Sequence, residues 1–285
     1  DAVCGRGGLL RHIPSGTYAV SDQAIADVLD PPYGEHASNL GVLLARELGD
    51  MAGIPSFFVD PVCVDEMTPV AHVTGFKGME RESFFHALNQ KSIARKAAKL
   101  LGKTYEEARL IVIHMGGGVS VAAHENGLAV DDFNVKDEGA FGMDRAGSLP
   151  VNAMINLCFS GLTKQEVKKL LGSEAGAYSY VGTKDFREVE RRAFEENDPD
   201  CRMVFDAMAY QLAKDIGAMA AVLKFQVDAI VYTGGMAYSD RFTQAITDYV
   251  GNLAPVLRLP GEEEMRSLAE GALRVLHGEQ AKVYP

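Results

Sequence analysis

Leu110-Ile111-Val112-Ile113-His114-Met115-Gly116-Gly117-Gly118 is the stretch whose reading decides the fold. Four branched apolar residues in succession predict a strand buried on both faces, as in a parallel sheet covered by helices. The triple glycine that follows lets the backbone turn sharply and approach a ligand with no Cβ in the way. Its exposed N–H groups can then align on phosphate oxygens. The same pattern recurs at Val227-Asp228-Ala229-Ile230-Val231-Tyr232-Thr233-Gly234-Gly235, and in weaker form at Phe57-Phe58-Val59-Asp60-Pro61. Strands that end in such residues, with helices between them, predict an α/β enzyme that handles a nucleotide.

The chain of 285 residues is 47% hydrophobic, enough for a large core or two lobes. No apolar run approaches the ~20 residues of a membrane span, and no signal peptide opens the sequence. Cys4, Cys63, Cys158 and Cys201 are scattered and form no C-x-x-C pair, which favours a reducing, cytoplasmic location. A net charge of −11 argues against nucleic acid or an anionic membrane as partner. An acidic chain that binds phosphates must concentrate positive charge locally or use a metal. The sequence begins at Asp1 directly in the apolar-glycine stretch Ala2-Val3-Cys4-Gly5, the expected mark of a fragment without its first strands.

Helical spacing sets Leu40, Leu43, Leu44 and Leu48 on one predicted face, with Gly49 suited to the end of that helix. A helix from about Gln90 to Leu101 should turn Ile93, Ala97, Leu100 and Leu101 inward and its basic residues outward. Residues 108–123 read as strand, glycine turn, strand. Thr163-Lys164-Gln165-Glu166 is a capping box opening a helix that stops at Gly172. The longest helix runs from Cys201 to Phe225, with Val204, Ala207, Met208, Leu212, Ile216, Met219 and Leu223 in helical register. A last helix covers about Glu262 to His277.

Several segments taken together resemble the acetate/butyrate kinase family, with wording nearest its butyrate branch. They are Val3-Cys4-Gly5-Arg6-Gly7-Gly8-Leu9-Leu10, His36-Ala37-Ser38-Asn39-Leu40-Gly41, Val59-Asp60-Pro61-Val62-Cys63-Val64-Asp65-Glu66-Met67 and Phe85-His86-Ala87-Leu88-Asn89-Gln90-Lys91. To these come the His114 to Gly118 turn, Asp144-Arg145-Ala146-Gly147-Ser148-Leu149-Pro150 and Thr233-Gly234-Gly235-Met236-Ala237-Tyr238-Ser239. The resemblance implies a duplicated ribonuclease H-like (ASKHA, actin-like) two-lobe α/β fold with its first lobe incomplete. It divides the chain into residues 1–75, the remainder of an N-terminal lobe on which the helix of 262–285 packs, and residues 76–261, a C-terminal nucleotide-binding lobe. It further implies ATP-dependent phosphorylation of a short-chain carboxylate, butanoate foremost, to an acyl phosphate by direct in-line transfer. ATP/ADP and Mg²⁺ are the implied cofactors, and a homodimer or higher homo-oligomer the implied assembly. The family's opening strand, with its Asn/Ser-bearing phosphate loop, has no counterpart in this sequence.

A carboxylate is already ionised at neutral pH, so the nucleophile needs no general base. The difficulty is electrostatic, because two anions must meet while charge spreads over the transferring phosphoryl oxygens. Cations and aligned donors should therefore dominate the site. By resemblance Arg145 is the catalytic arginine; its alternative is a surface arginine paired with Asp144. His86 matches the family's transition-state histidine, or is a solvated residue at a helix entry. Asp60 resembles an active-site aspartate that orients an arginine or contacts metal-bound water, or else caps the turn at Pro61. Arg6 is the substrate-binding candidate, or a turn arginine in solvent.

On the nucleotide side stand His114, Gly116, Gly117, Gly118, Gly234 and Gly235, and Met236 to Ser239 opens the next helix toward adenosine. His114 is otherwise a neutral core histidine. Asp185 and Arg187 match a D-x-R element on adenosine, or form a plain ion pair at a helix start. Glu263 aligns with a magnesium-linked glutamate, while Glu262, Glu263 and Glu264 in a first helical turn also complement the helix dipole. Acyl-chain length rests on pocket volume, where a methylene is worth ~1–3 kcal/mol, so acetate, propionate and branched acids remain alternatives. An ASKHA-type nucleotide-binding module without turnover is the alternative from another class.

Overall fold

The computed structural model describes residues 1–31, 33, 34 and 36–285. In chain order its elements are β1 (Val3–Arg6), β2 (Thr17–Ala19), α1 (Asp22–Leu29), α2 (Leu40–Ala52), β3 (Ser56–Val59), α3 (Ala87–Leu100), β4 (Leu110–Met115), β5 (Val119–Glu125), β6 (Leu128–Phe133), α4 (Val151–Cys158), α5 (Lys164–Ser173), α6 (Gly176–Val181), α7 (Phe186–Phe194), α8 (Pro199–Val222), β7 (Ala229–Thr233), α9 (Asp240–Val250), β8 (Val256–Arg258) and α10 (Glu264–Leu276). They fall into two compact units. The first comprises Asp1–Glu107, Asn126–Asp131 and Glu262–Pro285; the second comprises Ala108–Glu125 and Asp132–Gly261. A boundary at residue 75 is not where the contacts divide. Residues 76–107 group with the first unit, because α3 packs on α10.

In the first unit the strands run β1-β3-β2, with β1 parallel to β3 and β2 antiparallel to it. Helices α2 and α10 both pack on β1 and β3. The face of α2 that does so is not the leucine face. Val42, Ala45 and Gly49 are buried, whereas Leu40, Leu44 and Leu48 are exposed. The cause is a close approach of backbones: a Cβ on Gly5 would lie 2.0 Å from the Gly41 carbonyl oxygen, so small residues must line the contact. Gly271 on α10 plays the same part, since its Cβ would meet a Val59 methyl at 2.5 Å. In α3 the inward residues include Ile93, Ala94, Ala97 and Ala98, and Leu100 is exposed rather than inward.

The first unit also buries a charge pair. Lys91, fully enclosed, donates to Glu66 and to the Gly127 carbonyl oxygen at 3.1 Å. Glu66 in turn accepts from the Ala129 N–H at 2.9 Å and the Ser15 N–H at 3.2 Å. Burial pulls the Lys91 amine below its ordinary value, and the Glu66 carboxylate opposes that.

The second unit is built on β4, β5, β7 and β8. Strand β5 runs antiparallel to β4 through His114↔Ser120, and β7 runs parallel to both β4 and β8. All six residues of β4 and all five of β7 are buried, as their unbroken apolar runs require. Thr163 and Glu166 form the capping box that opens α5. Helix α8 buries Val204, Met208, Leu212, Ile216 and Met219, and Phe186, Phe205 and Phe242 stack into one aromatic cluster beside it. All four cysteines are free: Cys63 and Cys201 are buried, Cys4 is half-buried and Cys158 is exposed at the end of α4. Burial pushes the Cys4 thiol up to about 12 and the Cys201 thiol up to about 11.

Candidate active site

Parallel strands β4 and β7 end side by side, and both ends turn on glycine. The Gly116 N–H bonds the Gly118 carbonyl oxygen at 3.0 Å, and Gly117 faces open space. Gly234 has a φ of 85°, and a Cβ there would meet the Met115 carbonyl oxygen at 2.4 Å, so only glycine fits where the two loops touch. Carboxyl ends of neighbouring parallel strands are the usual ligand crevice of an open α/β sheet. His114 stands one residue inside this rim, buried, with Thr233 opposite it in register on β7.

Gly235–Tyr238 form a short 3₁₀ turn, and Ser239 follows it as the cap that opens α9. The Ser239 hydroxyl donates to Glu190 of α7 at 2.7 Å, which ties the second glycine loop to α7. Asp185 caps the start of that helix, and its carboxylate takes the Arg187 guanidinium on both oxygens at 3.0 and 2.7 Å. Those bonds hold the Asp185 carboxyl below its ordinary value.

Arg145 lies in a loop of interlocked backbone. The Gly142 N–H bonds the Arg145 carbonyl oxygen at 3.1 Å, and the Ser148 N–H bonds that of Gly139 at 2.9 Å. Gly176 (φ 59°) presses on the same loop so closely that a Cβ would lie 2.3 Å from the Gly142 oxygen. Asp144 pairs with Lys184 at 3.2 Å. The Arg145 side chain instead bonds the Val135 carbonyl oxygen at 3.4 Å, so its guanidinium is not neutralised by its neighbour.

The remaining candidates belong to the first unit. Arg6, Asp60, His86 and Glu264 line one pocket, together with Val59, Pro61, Val62 and Leu88. Arg6 and Glu264 are 3.3 Å apart. Asp60 is buried at a φ of 38°, a strained value for a residue with a Cβ; its Oδ1 accepts from the Gly16 N–H at 2.7 Å and its Oδ2 lies 3.9 Å from Arg95. His86 occupies the entry of α3. Glu263 is engaged by Lys96 at 3.2 Å and Arg266 at 3.9 Å and faces a cavity of about 330 Å³ between α3 and α10. Among the described residues no group of three or more His, Cys, Asp or Glu side chains could hold a metal by itself.

Three further residues join these candidates: Arg95 beside Asp60, Glu264 beside Arg6 and Asp215 bonded to Ala140. Arg95 was legible only as one of several basic residues on α3. Glu264 stood within the acidic run that singled out Glu263. Asp215 had a clear signal: it is a lone carboxylate on the apolar stripe of α8, between Leu212 and Met219.

The chain is built of two compact α/β units, one of which ends neighbouring parallel strands in glycine loops. Three solved structures share this fold. The acetate kinase of Porphyromonas gingivalis matches with a TM-score of 0.83 at 22% identity, over 97% of this chain and 78% of that one. The propionate kinase of Francisella tularensis gives 0.75 at 18% identity over 94% and 78%, and the acetate kinase of Entamoeba histolytica 0.78 at 15% over 96% and 80%. A curated probable butyrate kinase of Listeria innocua is 50% identical over the whole of this chain and 81% of its own length. The Acetokinase family model matches residues 75–257. The chain belongs to the Acetokinase family, ATP-using kinases of short-chain carboxylates. No helix among the described residues is long and apolar enough to cross a membrane.

Proposed function

We propose that the protein phosphorylates butanoate at the expense of ATP, giving ADP and butanoyl phosphate, and runs in reverse to make ATP. The observation that carries this reading is the pocket in which the Arg6 guanidinium stands beside an apolar wall of Val59, Pro61, Val62 and Leu88. A cation suits the carboxylate and apolar neighbours suit its alkyl chain; Arg6 is held by Glu264 at 3.3 Å and exchanges that partner for the substrate. The whole-chain relatedness to a probable butyrate kinase supports the same choice.

In the proposed reaction a carboxylate oxygen attacks the γ-phosphorus in line, a P–O bond forms, and the bond to the ADP oxygen breaks with its electron pair leaving on ADP. No proton has to move. Arg145 and His86 donate to the equatorial oxygens as charge accumulates on them. Asp60 orients Arg95 and the turn that carries Pro61. Gly117, Gly118 and Gly235 present backbone N–H groups to the nucleotide phosphates beside His114, Gly116 and Gly234 shape the two loops through bonds to the Gly118 and Gly261 carbonyl oxygens, and Asp185 and Arg187 serve adenosine. Magnesium would be held by carboxylate oxygens of Asp60 and of Glu263 or Glu264, whose oxygen chemistry fits it, and would offset phosphate charge.

A homodimer in the cytoplasm completes the proposal; four free thiols suit a reducing compartment. The test is hydroxamate trapping of acyl phosphate by the full-length protein with ATP, Mg²⁺ and acetate, butanoate or isobutanoate. Butanoate should give the highest kcat/KM, and Arg145→Ala should lose about 10³-fold in kcat with the fold intact. Near-normal turnover by that variant removes Arg145 from the chemistry. ATP binding with no acyl phosphate from any of the acids would favour a nucleotide-binding module.

A further inference from the structure

The Arg145 loop depends on a buried carboxylate that the proposed chemistry does not use. Asp215 lies on the apolar stripe of α8, and its Oδ2 accepts the Ala140 N–H at 2.6 Å. One turn earlier, Gln211 accepts the Phe141 N–H through Oε1 at 3.3 Å. Residue 139 has to be glycine beside this carboxylate: its φ is 68°, and a Cβ would lie 2.8 Å from Asp215 Oδ2. The chain then doubles back, because Gly147 packs on the Gly139 carbonyl oxygen, where a Cβ would come within 2.6 Å. Arg145 sits between these two anchored ends. Its own side chain reaches only a long bond to the Val135 carbonyl, so the guanidinium is placed by the backbone rather than by a partner carboxylate.

Resting on the reading of Arg145 as the transition-state arginine, we propose that Asp215 is a positioning residue for phosphoryl transfer: its carboxylate fixes residues 139–148 and thereby the place of the Arg145 guanidinium. An apolar residue would fill this site at lower cost, since a buried carboxylate is disfavoured. Burial indeed pushes the Asp215 carboxyl up to about 6, with the Ala140 N–H and Lys214 opposing only in part. In return, the side chain gives the Ala140 N–H an acceptor that an apolar residue would not supply. That difference matters where a displacement of about 1 Å can remove about 10²-fold in rate.

The test compares Asp215→Leu, which keeps the branched outline with bulkier methyl groups and removes the acceptor, with Asp215→Asn, which keeps an acceptor oxygen, in the full-length protein. Arg145→Ala is the reference. Asp215→Leu should lower kcat by about 10–100-fold while the KM for butanoate and for ATP stays within about threefold, the signature of a contact made only in the transition state. Asp215→Asn should recover kcat to within about threefold of the parent. If Asp215→Leu does not fold, Asp215→Ser, too short to reach Ala140, gives the same comparison. The proposal is overturned if the acceptor-less variant keeps full kcat, if Asn is as impaired as Leu or Ser, or if the loss lies in KM. Arg145→Ala with normal turnover overturns the reading of the arginine itself, and the proposal with it. Arg145→Ala inactive beside unaffected Asp215 variants overturns the proposal alone.

Discussion

Asp215 also gives the folded protein a pH dependence that can be worked out in advance. Its carboxyl is raised from an ordinary 3.8 to about 6. The native state therefore holds this proton more tightly than the unfolded chain does. Below pH 3.8 both states are protonated, and the group contributes its full relative stability. Between pH 3.8 and about 6 only the native state retains the proton, and stability falls as pH rises through that window. Above it both are ionised, and the native protein carries a desolvated charge. A difference of about 2 pKa units at 1.36 kcal/mol each amounts to roughly 3 kcal/mol. Asp215→Asn removes this titration and leaves the others in place, including Asp198, whose carboxyl is pulled down to about 2. Urea unfolding of both proteins, followed by circular dichroism because the chain has no tryptophan, should show a stability difference that grows by about 2 kcal/mol in favour of Asn between pH 4 and pH 8. A difference that stays level with pH would refute the reasoning, whatever its absolute value.

Other parts of the structure make separate demands. Gly176→Ala, at a φ of 59° and against the Gly142 oxygen, should destabilise the protein by about 2–4 kcal/mol in urea melts and lower kcat, because the backbone it displaces carries Arg145. Lys91→Met strands the Glu66 carboxylate and should cost about 3–5 kcal/mol by the same measurement; the double variant with Glu66→Gln should recover part of that loss. Gly271→Ala should cost about 1–3 kcal/mol because its methyl meets Val59. In a double-mutant cycle Val59→Ala should relieve much of this penalty, and strict additivity would show that the contact does not limit packing.

What could be read from the residues follows from how local its cause is. Strand β4 and its glycine turn, the capping box at Thr163 and the apolar register of α8 are set by near neighbours, and they stand where spacing and propensity put them. Parallel pairing was legible too, as was the strand that follows the glycine turn, β5, whereas β2 was not, because a strand of three residues leaves no such signal. Helix α2 shows the limit most clearly. Leucine periodicity chose Leu40, Leu44 and Leu48 as the inward face, but contact with β1 at Gly5 excludes large side chains, and Val42, Ala45 and Gly49 face the sheet instead. The chemistry-bearing segments could be quoted from the sequence. The carboxylate behind the arginine loop, Arg95 beside Asp60 and the choice between Glu263 and Glu264 depend on tertiary contacts between residues far apart in the chain.

The four thiols differ enough to make the protein a ready spectroscopic tool. Cys63 and Cys201 are enclosed, and the thiols of Cys4 and Cys201 titrate far above neutrality, which leaves little thiolate for alkylation. Cys158 alone is exposed, and it closes the helix that begins right after Pro150, at the end of the arginine loop. A maleimide dye added briefly at pH 7 should therefore couple at a single site without any cysteine being removed, and its emission would follow the arginine loop as nucleotide is added.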